Sequence, residues 1–141
     1  PFKIGVFPHG NAAFSYEYAT ATAFLFGSVR PEHFTEKAIR NPQVTDFIKK
    51  IKLTPAKDVE FEKARMTVTL KDRRKLTETC TRVKGDPLDN PMTHEEIIEK
   101  FWVNVEFSKK ISRKKASELL EKLLKLEKAD SVRNLIPLLV V

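Results

Sequence analysis

Residues able to do chemistry are few in this sequence, and most fail on spacing. His94-Glu95 opens like the helix motif in which two histidines one turn apart bind zinc beside a basic glutamate. The position four after His94, however, is Ile98, so the second ligand is missing. His9, His33 and His94 lie far apart with no ligand spacing, and no metal site is expected. Ser15, Ser28, Ser108 and Cys80 belong to no nucleophile-elbow or Cys-His signature. Four scattered glycines make no phosphate-cradling loop. Asp86 and Asp89 are two carboxylates in one loop and could act as acid and base. Gly85-Asp86-Pro87 and Asn90-Pro91 are also ordinary turn chemistry, and that is the role expected of them. Tyr18 stands apart. It lies in a nearly uncharged stretch with Tyr16 and Glu17, soon after a His-Gly-Asn loop. A buried phenol needs a partner for its hydroxyl. That hydroxyl could bind a substrate carboxylate or carry a proton, although composition alone favours core packing.

The elements that must position these groups follow from the apolar pattern. Lys3 to Phe7 alternates weakly, which suggests a short strand ended by Pro8, His9 and Gly10. Ala12 to Phe26 is small or apolar with Glu17 as its one charge, which predicts a helix with little solvent-facing surface, stopped by Gly27-Ser28. Pro31 opens a short helix through Arg40, with Phe34, Ala38 and Ile39 inward. Asn41-Pro42 caps another carrying Val44, Phe47, Ile48 and Ile51. Met66, Val68 and Leu70 alternate with polar residues, and Lys75 to Val83 returns after a polar turn: a β-hairpin. Thr93 and Glu96 have capping-box spacing, ahead of a helix expected to bury Ile97, Ile98, Phe101, Trp102 and Val105. Ser112 can cap a Leu-striped helix, and Asp130 or Ser131 a last short one. The expected fold class is α+β, a small antiparallel sheet packed with several α-helices.

Composition bounds the partners. A chain of 141 residues, 41% hydrophobic, suits one domain that buries roughly two thirds of its unfolded surface. No apolar run approaches the roughly 18 residues of a membrane span, and no secretory leader is visible, so a cytoplasmic protein without a membrane partner is expected. The first residue is Pro, which suggests processing or a piece of something longer. The formal charge is +7, spread over Lys49–Lys52, Lys71–Lys75 and Lys109–Lys115 with acidic neighbours and no interleaved aromatics. Nucleic acid is therefore not the expected partner, although a non-enzymatic binding module using this basic surface is the alternative reading. Such a field also attracts carboxylate-rich substrates.

Four segments in register carry a resemblance. They are Ala13-Phe14-Ser15-Tyr16-Glu17-Tyr18 with the small-residue stretch to Gly27; His33-Phe34-Thr35-Glu36 followed by Ile39-Arg40-Asn41-Pro42-Gln43-Val44; Met66-Thr67-Val68-Thr69-Leu70-Lys71-Asp72; and Lys84-Gly85-Asp86-Pro87 with Asn90-Pro91-Met92-Thr93 and Glu99-Lys100-Phe101. Together they resemble the MmgE/PrpD family, metal-independent 2-methylcitrate dehydratases and related decarboxylases and epimerases. That family joins a large helical domain to a smaller lid, with the active site between them. The resemblance implies that residues 1–141 are the small lid domain plus C-terminal helices, with the N-terminal helical domain absent and the isolated chain inactive. It also implies a small di- or tricarboxylate substrate, no cofactor, a place in propionate metabolism, and as partner a helical domain of the same family or a second copy. Tyr18 matches the family's cleft tyrosine, as a catalytic and substrate-binding residue, with Ser15 beside it in substrate binding. The family's Asp-Gly hairpin turn reads Asp72-Arg73 here.

Overall fold

The computed structural model describes residues 2–59 and 63–140 and has the α+β character expected: seven α-helices and one two-stranded antiparallel sheet. The chain forms two compact units. One runs up to Leu53 and resumes at Ile98; the other is Thr54–Ile97.

In the first unit, Lys3 to Phe7 forms no strand. Pro8, read as a stop, instead occupies the first turn of α1 (Pro8–Ala13), where its fixed φ suits a helix and its missing N–H costs nothing. The Phe7 ring lies against Gly10, so close that a Cβ there would meet it at 2.2 Å. The single helix expected over Ala12 to Phe26 is two. Ser15 adopts an extended conformation and its Oγ accepts from the Tyr18 N–H, starting α2 (Tyr16–Phe26) afresh. Gly27 ends α2 in the left-handed region, φ 71°. Pro31–Phe34 is a 3-10 turn and Thr35 caps α3 (Glu36–Ile39), dividing what the sequence suggested as one helix. Asn41 caps α4 (Pro42–Ile48) by accepting from the Gln43 N–H. The core of this part is Ala12, Tyr18, Ala21, Ile39, Val44 and Ile48. Helix α2 packs on α4, where Phe24 and Phe47 stack at 5.5 Å, and α1 packs on α3 and the 3-10 turn.

The second unit holds the hairpin, β1 (Ala64–Thr69) and β2 (Lys75–Cys80), with Val68 opposite Leu76 and Thr67 opposite Thr77. The two threonine hydroxyls meet at 2.9 Å. Every residue of β2 is exposed, and in β1 only Val68 is half-buried, so the sheet is wetter than its alternation implied. Its turn needs a left-handed residue. Arg73 supplies it at φ 68°, while the Asp72 Oδ1 accepts from the Arg74 N–H.

Both residues of the capping box act as expected ahead of α5 (His94–Ser108): the Thr93 N–H donates to Glu96 Oε2 at 2.7 Å and the Glu96 N–H to Thr93 Oγ1 at 3.2 Å. The burial expected along α5 is only partial: Ile98, Phe101, Trp102 and Val105 are half-buried. None of its residues is fully buried and Ile97 is 52% exposed. Ser112 caps α6 (Arg113–Leu123), which buries Ala116 and Leu119 and packs on α7 (Ile136–Leu139); Ser131, not Asp130, caps the 3-10 turn before α7.

A left-handed conformation costs a non-glycine residue about 1–2 kcal/mol, partly offset by the greater unfolded freedom of glycine. Arg73→Gly is therefore expected to stabilise the hairpin by up to about 1 kcal/mol, read as a higher urea midpoint. An unchanged or lower midpoint would count against strain at this position.

Candidate functional site

The break at Ser15 decides where every candidate side chain goes. With Ser15 extended, Phe14 and Tyr16 face solvent at 91% and 78% exposure, while Tyr18, one turn into α2, is sealed at 1%. Its ring sits between Phe2 and Phe34, centroids 5.2 and 5.7 Å away. Its hydroxyl donates to the His33 backbone carbonyl, so one hydrogen bond ties α2 to the 3-10 turn. Burial pushes the Tyr18 hydroxyl above its ordinary value of 10.0, opposed in part by the Thr22 hydroxyl one turn on. Thr22 Oγ1 is itself fully buried and makes no formed hydrogen bond. Tyr18 thus remains a protonated donor across the physiological range rather than a base.

Ser15 is occupied differently. Its oxygen accepts from the Tyr18 N–H at 3.1 Å and its proton goes to Glu17 Oε2 at 3.0 Å. Hydrogen bonding to its own backbone N–H in the first turn of α2, helped by the Ser15 hydroxyl, holds the Glu17 carboxyl below its usual range. Ser15 and Glu17 open on a shallow groove of about 500 Å³, whose lining also includes Lys3, Asn11, Phe7 and Phe14. The structure thus brings Ser15 and Tyr18 together through the backbone, yet only Ser15 lines the groove. Lys3, Asn11 and Glu17 add a cation, an amide and a carboxylate to it. Sequence reasoning passed over Lys3 because it sits in the stretch read as a strand, and no motif marks it.

The other candidates resolve into structure. Asp86 Oδ1 accepts from the Leu88 and Asp89 N–H groups, each at 2.8 Å, and these bonds hold its carboxyl below the ordinary value; Asp89 pairs with Arg82 at 2.6 Å. This is turn chemistry. Among the described residues, no group of three or more His, Cys, Asp or Glu side chains could hold a metal ion, and no helix is long and apolar enough to cross a membrane. Much of the basic surface is paired, as in Lys49–Asp46, Arg74–Asp72 and Arg113–Glu106.

Comparison with known proteins gives these residues a context. A family model described as the MmgE/PrpD C-terminal domain matches residues 9–126. The chain is 29% identical over 121 residues to cis-aconitate decarboxylase of Mus musculus. That match takes in 83% of this chain and 24% of the relative, so the chain spans about a quarter of that protein's length.

Two substitutions separate the polar groups of this core. Tyr18→Phe leaves the His33 carbonyl without its donor and is expected to cost roughly 1–3 kcal/mol, whereas Thr22→Val removes a buried hydroxyl without a formed bond and is expected to be neutral or stabilising. Both are read by denaturant unfolding. Because the folded Tyr18 holds its proton to higher pH than the unfolded one, its contribution is whole below pH 10.0 and drains away as pH rises through the raised folded value. Stability measured above pH 10.0 should fall more steeply for the wild type than for Tyr18→Phe; parallel curves would contradict the burial argument.

Proposed function

Because the chain belongs to the MmgE/PrpD family through its C-terminal domain, we propose that it is part of a cytoplasmic, metal-independent lyase of the 2-methylcitrate dehydratase type acting on small di- or tricarboxylic acids. The match to the family domain across residues 9–126 carries this reading. The relative whose name states decarboxylation of cis-aconitate supports a substrate rich in carboxylates. In the dehydratase version, a base removes the proton beside a carboxylate while an acid assists departure of hydroxide. Donors and cations hold the carboxylates and the charge that develops.

In this reading Tyr18 is the donor. Its hydroxyl stays protonated and, being 1% exposed and outside the groove, exchanges the His33 carbonyl for a carboxylate or leaving-group oxygen of the substrate only when assembly with the helical domain opens the packing around it; a charged acceptor makes the stronger bond. Ser15, at the groove beside Lys3, is the second polar contact. The base would come from a helical domain of the family, in the same polypeptide or a second copy. The aromatic rim of Phe7, Phe14 and Tyr16, each at least 65% exposed, fits a face that is covered when the site is assembled. Alone, the chain lacks the opposing groups that orient a substrate and is inactive.

The test starts from the upstream reading frame, expected to encode the helical domain. The protein extended by it should consume 2-methylcitrate or cis-aconitate, and Tyr18→Phe should lower kcat by roughly 100-fold or more, the scale of general acid catalysis. Turnover by the 141-residue chain alone, or wild-type turnover by the extended Tyr18→Phe protein, would overturn the reading.

A further inference from the structure

His33 makes three contacts, one of them with Tyr18. Its carbonyl accepts the Tyr18 hydroxyl. Its Nδ1 accepts from the Arg30 N–H at 3.1 Å, reaching back to the start of the 3-10 turn as Glu96 reaches back to Thr93. Its ring stacks on Phe26, the last residue of α2, with centroids 4.9 Å apart and planes 18° from parallel. A peptide in a short 3-10 turn has poor hydrogen-bond geometry and little stiffness of its own. Here the side chain supplies the stiffness: the Nδ1 bond fixes the turn, the stack fixes the ring against α2, and the carbonyl is left pointing at the phenol.

We propose that His33 is the positioning residue for Tyr18: its side chain locks the peptide whose carbonyl holds the phenol hydroxyl, and so sets the direction in which that hydroxyl is presented. The functional weight of this lock rests on Tyr18 being the substrate-facing donor. The lock itself is a property of the chain and is measurable without turnover. The Nδ1 contact requires the neutral ring with its proton on Nε2, leaving that edge as a donor.

The experiment is a tyrosinate absorbance titration of the 141-residue chain, in which the Tyr18 step is the one lost in Tyr18→Phe. His33→Phe keeps an aromatic ring on Phe26 but removes the acceptor, and the Tyr18 step is expected to shift to lower pH. His33→Gln keeps an acceptor of capping-box type and is expected to leave the step at its wild-type position. A wild-type titration in His33→Phe, with its far-ultraviolet dichroism intact, would overturn the proposal; so would a shift in His33→Gln as large as in His33→Phe. Should His33→Phe not fold, His33→Ala, which also removes the acceptor, takes its place: a Tyr18 step moved to lower pH supports the lock and an unmoved one refutes it. Turnover of the extended protein reports separately. Wild-type turnover in Tyr18→Phe would remove the substrate-facing role of Tyr18 and leave the titration result standing.

Discussion

A phenol hydroxyl taken out of water must find an acceptor or forfeit a bond, and in this chain it finds the His33 carbonyl. That one requirement organises the first unit. It brings the Pro31–Phe34 turn against α2, sets Phe34 and Phe2 on either side of the ring, and keeps the hydroxyl in its donor form. The surrounding residues are small where closeness is needed: Ala12 and Ala21 are fully buried in the same cluster. Around them Ile39, Val44 and Ile48 close the packing from α3 and α4.

The second constraint is the interruption at Ser15. Had α1 run on into α2, Phe14 and Tyr18, four residues apart, would share a face. The extended Ser15 turns the chain so that one aromatic goes out and the other in. Just past the Phe14 end of α1, the same residue starts α2 and contributes a hydroxyl to the groove. A site built on helix ends gains short polar side chains and free N–H groups at no cost to the helices themselves.

Local signals were legible in the sequence because they act over three or four residues. The Thr93–Glu96 box, the Asn41, Ser112 and Ser131 caps, and the Gly27 stop all lie where side-chain spacing places them. What spacing could not give was the competition between neighbours. Ser15 looked like one small residue in a helical run until its oxygen took the Tyr18 N–H, and Pro8 looked like a terminator until it took the first turn of α1. Burial along α5 stayed partial for another reason: periodicity marks which face is apolar, but not how fully it is covered. Of the residues lining the groove, Ser15 was singled out by the resemblance and Lys3 was not; Tyr18, singled out with Ser15, lies in the core behind it, held by a His33 carbonyl that no motif marked. A backbone acceptor carries no side-chain signature at all.

The hairpin of the second unit has a further bearing on handling the protein. Two strands wet along almost their whole length, with no third strand beside them among the described residues, are marginal in water and open far more often than the helical core. The turn joining them concentrates Lys71, Arg73, Arg74 and Lys75, the residue types after which trypsin cuts. Limited digestion would therefore nick this ribbon first, while the helices around Tyr18 stay whole.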